Sequence, residues 1–285
     1  MALRSALRHG TAVRRSAAIR SYFAAAPKAQ SEGKQTRASL AAWLFDDSPL
    51  AAESVATLGF DSIVLDGQHG LVTSGSSLVS LCHAIAAAPV PAGASAPRII
   101  CRLPRLDDAE IAKALDAGAA GLICPMVNSA EQAEALVHAA HFPPEGRRSF
   151  GPHRTAWVHG VTPGEWVRAQ NDAVRTYAMV ETRGALDALE SILSVERLTG
   201  VFIGPNDLGL ALGHEPTSAP TGEVLEAVTH IRERAHAAGK EAGIFCADAE
   251  ACRRMVDVGF DLVSVGADLG WLRAGAAAAL ARVRE

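Results

Sequence analysis

The sequence predicts an α/β protein folded as a single (β/α)8 TIM barrel, and three observations point there. Eight short apolar or β-branched runs alternate with alanine-rich segments of helical spacing. Strands that are apolar almost throughout are buried on both faces, as in a parallel sheet covered by helices. Spread over residues 39–285, eight such repeats match the ~250 residues such barrels typically occupy. The rival, a doubly wound open sheet, lacks its signature, because no G-x-G-x-x-G follows the first strand.

In chain order the expected strands are 40–45 (LAAWLF), 61–66 (DSIVLD), 98–103 (RIICRL), 120–127 (AGLICPMV), 176–181 (TYAMVE), 200–204 (GVFIG), 242–247 (AGIFCA) and 261–266 (DLVSVG). Helical spacing marks 48–59, 108–118, 129–141, 185–196 and 222–239. Ser, Asp or Thr near several starts and Gly near several ends supply the capping chemistry of helix boundaries.

Composition narrows the function. The chain is 49% hydrophobic and 20% charged, the balance of a globular protein with a sizeable core. No apolar run reaches the ~18 residues of a membrane span. Cysteines 82, 101, 124, 246 and 252 form no C-x-x-C pair, so they read as small buried hydrophobes. Residues 1–22 carry five arginines and no acid, the composition of a mitochondrial transit peptide with a destination in the matrix. Residues 23–38 read as a polar linker. Eight Lys/Arg and one Glu fall within residues 1–38, so a whole-chain charge of −4 leaves the barrel near −11. An acidic body of that kind argues against nucleic acid as a partner.

Barrel enzymes place their chemistry at the C-terminal ends of the strands. Those ends present Asp66 and His69 after the second strand, Arg102 in the third and Glu181 in the fifth. Gly204-Pro205-Asn206-Asp207 follow the sixth. Glu181 and Asp207 top adjacent strands, which lie ~4.8 Å apart. Two carboxylates brought together repel unless a cation sits between them, and a hard divalent ion with water and substrate in its other positions fits. Arg102 among apolar neighbours requires an anion, either a protein carboxylate or a substrate oxygen. His69 on the same rim is a candidate proton carrier. Asp116, late in a helix, has no role from spacing alone. None of the four lysines, Lys28, Lys34, Lys113 and Lys240, stands at a strand's C-terminal end. Schiff-base chemistry therefore lacks its amine, and carbonyl chemistry falls to a metal.

Six segments also resemble the HpcH/HpaI class II pyruvate aldolases: residues 59–70, 102–105, 115–133, 142–152, 179–193 and 198–213. The resemblance runs from about Leu40 to the C-terminus. It implies a phosphoenolpyruvate/pyruvate-type barrel that cleaves a 4-hydroxy-2-oxo acid to pyruvate and an aldehyde through a metal-stabilised enolate. It makes Glu181 and Asp207 ligands of Mg2+, Mn2+ or Co2+, Arg102 the contact to the pyruvate-derived oxygen, and His69 the base, paired with Asp116. It further implies a substrate carboxylate on backbone N–H groups of Gly204–Asp207, with Pro205 and Asn206 part of that site, and a homohexamer. Arg147, Arg148 and Arg154 are expected near the rim, either as a solvated basic loop or with one of them on a distal carboxylate of the aldehyde. The sequence departs from the family pattern at two places. Gln68 stands where an acid is usual, and Met179 where a glutamine is usual. Both departures keep two alternatives open: oxaloacetate decarboxylation of the macrophomate-synthase kind, and a non-catalytic barrel that binds a 2-oxo acid.

Overall fold

A computed structural model describes residues 38–72, 75–217 and 219–284. The expected leader, 1–22, lies outside the described residues, as does the expected linker apart from buried Ala38. Eight parallel strands close on themselves in chain order: β1 (Ser39–Leu44), β2 (Ser62–Asp66), β3 (Arg98–Arg102), β4 (Gly121–Cys124), β5 (Arg175–Met179), β6 (Gly200–Ile203), β7 (Glu241–Ile244) and β8 (Leu262–Ala267). The last pairs with the first, with a register shift between Ala41 and Trp43. The barrel expected from the apolar repeats is thus the observed one.

Helices fill the connections. They are α1 (Pro49–Ala56), α2 (Gly75–Ala87), α3 (Asp108–Ala117), α4 (Ala130–Ala140), α5 (His153–Val158), α6 (Pro163–Ala173), α7 (Arg183–Asp187), α8 (Leu189–Leu193), α9 (Pro205–Leu212), α10 (Gly222–Ala237), α11 (Ala249–Val258) and α12 (Asp268–Arg284). Side chains of Ser48, Asp107, Ser129, Thr162, Thr182 and Asp248 accept N–H bonds at helix starts, satisfying donors that have no partner inside the helix.

Alternation along the strands divides the core in two. Trp43, Val64, Ile100, Ile123, Tyr177, Met179 and Phe202 point into the barrel, where Trp43 and Phe202 rings meet at 5.6 Å. The other strand faces pack against the helices, with Leu65, Leu122, Val201, Val228 and Ile231 among the buried contributors. Each such side chain stabilises the fold by about 1.5–3 kcal/mol. All five cysteines are free and buried. Burial pushes the thiols of Cys82 and Cys124 up to about 12, which suits a packing role rather than a reactive one.

Several strands are shorter than the sequence suggests, and two of these bear on the site. β4 stops at Cys124 rather than 127 because Pro125 has no N–H to donate and Met126 takes a positive φ of 56°. β5 stops at Met179, which leaves Glu181 on the connection above it. Helices α2, α5, α6, α9, α11 and α12 add to those the spacing marks. Among the described residues no helix is long and apolar enough to cross a membrane.

Candidate active site

The C-terminal rim is built on the end of β2. Asp66 is fully buried, and its carboxylate is saturated. Oδ1 accepts from Nε of Arg102 at 2.9 Å, from the Gln68 N–H at 2.9 Å and from the His69 N–H at 3.1 Å. Oδ2 accepts from Nε1 of Trp43 at 2.9 Å and from Nη2 of Arg102. Burial works to raise the Asp66 carboxyl, but the hydrogen bonds and charge of Arg102, with the Trp43 and His69 donors, outweigh it and hold the group below the usual carboxylate range. Asp66 is therefore the anion that Arg102 requires and the anchor of the loop bearing His69.

Arg102 is 8% exposed, and its Cζ lies 5.0 Å from the Trp43 ring centroid. With Nε and Nη2 committed to Asp66, Nη1 makes no hydrogen bond to another described residue. His69 is exposed, and its ring likewise bonds no described residue.

Opposite this pair stand the two acids. Glu181 is 3% exposed, and its Oε1 accepts the Met126 N–H at 2.8 Å. Burial raises its carboxyl above the usual glutamate range, and the charge of Asp207 adds to this, while the Met126 N–H and Arg102 act in the other direction. Asp207 sits in the first turn of α9 and is exposed. A Cβ placed on Gly204 would lie 2.5 Å from Oε2 of Glu181 and 3.5 Å from Oδ2 of Asp207. The two acids therefore converge on one spot, and only glycine leaves it open.

That donor set fits a hard divalent ion. Two carboxylate oxygens face a single point, and the burial that disfavours the Glu181 charge is relieved by a cation. Among the described residues no third His, Cys, Asp or Glu completes a ligand cluster, so the other positions would fall to water and substrate. The start of α9 adds backbone donors, because the N–H groups of Asn206 and Asp207 have no acceptor inside the helix and Gly204 offers no side-chain cap. Pro205 has no N–H and contributes only its fixed φ. The Asn206 side chain is engaged elsewhere, accepting from the Thr217 N–H at 3.1 Å.

The two departures flank the site. Met179 is buried under the acids, its Cε 3.2 Å from where a Cβ on Gly204 would be. Oε1 of Gln68 is buried without a partner among the described residues.

Asp116 is not beside His69 within the chain. It lies in the last turn of α3, which runs down the barrel wall for about 15 Å from its start near the rim. There it accepts from Nη2 of Arg148 at 2.5 Å. The arginine loop needs the same correction. It follows α4, which also descends, so Arg148 and Arg154 bind the lower end of α3 at Asp116 and the Ala117 carbonyl, while Arg147 reaches back to Asp108 in its first turn and is held there as an ion pair. Among the described residues no lysine reaches the rim: Lys113 pairs with Glu110 along α3, and Lys240 donates to the carbonyls of Val195 and Leu198 before β7.

Sequence reasoning missed Trp43, which clamps Asp66 and lies under Arg102, and Met126, whose N–H meets Glu181. The first carries a signal in hindsight, since a strand-end Trp requires a partner for its N–H when buried. The second carries none, because a methionine does not announce a positive φ.

Known proteins resemble this chain in sequence and in fold. The profile of the HpcH/HpaI aldolase/citrate lyase family matches residues 40–274. A hydroxypyruvate/pyruvate aldolase of Rhizorhabdus wittichii is 41% identical over 249 residues, covering 87% of this chain and 95% of the relative. A 5-keto-4-deoxy-D-glucarate aldolase of Escherichia fergusonii is 33% identical over 236 residues, covering 82% and 87%. The crystal structure of a family protein from Burkholderia cenocepacia J2315 superposes with a TM-score of 0.80 at 29% identity, covering 87% of this chain and 95% of the other. These relatives also overturn the mitochondrial location expected from the N-terminus, since they are proteins of bacteria, which have no mitochondria. From the fold, the rim acids and the matched length together, the chain belongs to the HpcH/HpaI aldolase/citrate lyase family, a family of carbon–carbon lyases.

Proposed function

We propose that this protein is a metal-dependent aldolase that cleaves a 4-hydroxy-2-oxo acid to pyruvate and an aldehyde, with Glu181 and Asp207 as ligands of a divalent cation. The observation that carries the reading is the convergence of the two carboxylates on the open side of Gly204. The all-oxygen donor set suits Mg2+, with Mn2+ or Co2+ as substitutes. The names of the relatives, a hydroxypyruvate/pyruvate aldolase and a 5-keto-4-deoxy-D-glucarate aldolase, support this substrate class.

When bound, the cation supplies Lewis-acid polarisation of the 2-oxo group. The chain's own residues do the rest. The N–H groups of Asn206 and Asp207 receive the substrate carboxylate at the positive end of α9. Arg102, held in place by Asp66, turns Nη1 toward the oxygen on which negative charge develops. His69 takes the proton from the C4 hydroxyl, the C3–C4 bond breaks, and its electrons pass into the enolate of pyruvate. A proton returned to C3 completes the reaction.

The site also supports a homo-oligomer, a hexamer by the family resemblance. Asp116 and His69 lie at different levels of one barrel, so their pairing requires two copies. Helix α12 is 17 residues long with no buried residue, and Leu269, Leu272, Leu280 and Val283 are exposed along it. Its start is tied to the barrel by Trp271, which stacks on Phe60 and donates to the Val265 carbonyl at 3.2 Å, and the exposed leucines offer an apolar face to a second copy.

Oxaloacetate decarboxylation is the second reading, favoured by Met179, which places a methyl where a polar contact is usual. Pyruvate formation from a 4-hydroxy-2-oxo diacid and from oxaloacetate, followed by coupled reduction with and without chelator, tests both. Chelator-sensitive pyruvate from the first substrate supports aldol cleavage. Faster, chelator-sensitive release from oxaloacetate favours the alternative, and release from neither removes both.

A further inference from the structure

Glu181 is positioned by a peptide in a costly conformation. Met126 is one of two non-glycine residues with positive φ among the described residues. A side chain in that region costs of order 1 kcal/mol or more and persists only where its surroundings enforce it. The benefit is directional: the turned peptide aims the Met126 N–H at Oε1 of Glu181, 2.8 Å away. That leaves Oε2 as the oxygen facing Gly204 and Asp207.

What enforces the turn is Asn128. Its Nδ2 donates to the Met126 carbonyl at 2.8 Å, and its Oδ1 accepts from the hydroxyl of Thr182, the residue after Glu181. Its own N–H donates to Oε1 of Gln132 at 2.6 Å, which ties it to the first turn of α4. One amide side chain thus joins the loop that supplies the N–H to the loop that supplies the carboxylate. Thr182 at the same time caps α7 by accepting the Ala185 N–H at 3.0 Å, so the Glu181 connection is fixed from both sides.

We propose that Asn128 is a positioning residue for the cation site: it locks the left-handed Met126 peptide and so orients the Glu181 carboxylate. The inference rests on the metal-binding reading above and adds a residue outside the ligand set. Removing outer partners of metal ligands costs 10- to 100-fold in metal affinity in other sites. Asn128→Ala is therefore expected to weaken Mn2+ binding by about 10- to 100-fold, read by isothermal titration of the full chain. Asn128→Asp, which keeps the shape but lacks the amide donor, is expected to act in the same direction.

The background Met126→Gly distinguishes positioning from general support. Glycine adopts positive φ without a steric penalty, so it has less need of the lock. In that background Asn128→Ala is expected to cost less than about 3-fold, a coupling between the two positions. A merely structural role for Asn128 would give the same loss in both backgrounds. Circular dichroism confirms folding, and Asn128→Asp serves if the alanine variant does not fold. Unchanged Mn2+ affinity in the Asn128 variants, or an equal loss in the Met126→Gly background, overturns the inference. A parent protein that binds no Mn2+ overturns the metal reading itself.

Discussion

Asp66 and Arg102 face each other in register across β2 and β3, and Nε of Arg102 donates to Oδ1 of Asp66 at 2.9 Å inside the barrel mouth. Both residues are buried. Breaking a buried pair by removing one partner leaves the other charge uncompensated and costs roughly 3–5 kcal/mol. Asp66→Asn should destabilise the metal-free protein by about that amount at pH 7, measured by urea unfolding. Asp66→Asn should also disturb catalysis, because the same carboxylate anchors His69 by its N–H.

The pH dependence of that difference follows from the sign of the shift. The folded Asp66 carboxyl lies below its ordinary value of 3.8. Its contribution is therefore fully present above that value and is lost as pH falls through the lower folded one. The gap in unfolding free energy between parent and Asp66→Asn should stay level from pH 7 to about 5 and close only below about 4.

Glu181 has the opposite sign. Its folded carboxyl is raised above the ordinary 4.5, first by burial. Such a group stabilises the metal-free fold below its ordinary value, and that contribution is lost as pH rises through the folded value. At pH 7 an unneutralised buried carboxylate opposes folding, so Glu181→Gln should raise the metal-free Tm by about 2–4 °C, the shift expected for ~1 kcal/mol in a chain of this size. The gain should shrink toward pH 4. Added Mg2+ should raise the parent's Tm and leave that of Glu181→Gln unmoved.

Gly204→Ala is the most economical probe of the cation position. Its φ of −92° suits any residue, so the backbone does not resist alanine. The new methyl would meet Oε2 of Glu181 at 2.5 Å, closer than side-chain carbons approach. Metal affinity should fall by at least about 10-fold while the metal-free Tm stays within a few degrees of the parent.

Much of this arrangement is legible in the amino-acid sequence. Eight apolar repeats point to a closed parallel barrel, whose strand ends share one rim, so the proposed pair Glu181 and Asp207 is picked out from strand order. Arg102 is recognised as needing an anion, although which of two anions comes only with the coordinates. Levels along a helix are harder to read. Asp116 and the arginines at 148 and 154 carry suggestive chemistry, but the descent of α3 and α4 takes them down the barrel wall, and a list of strand ends does not register this. Met126 is invisible for another reason: its contribution is a backbone N–H in an unusual conformation, to which side-chain identity gives no clue.

The central claim is that a divalent cation between Glu181 and Asp207 performs the electron withdrawal for which the described residues place no lysine on the rim. The direct test is pyruvate release from a 4-hydroxy-2-oxo acid by the parent and by the Glu181→Gln, Asp207→Asn double variant, after chelation and again after Mg2+ is restored. The account predicts that the parent falls silent with chelator and recovers with Mg2+, while the double variant stays at least about 1,000-fold slower in both, a loss of roughly 4 kcal/mol of transition-state stabilisation. Parent-level turnover by the double variant in metal-free buffer would contradict it.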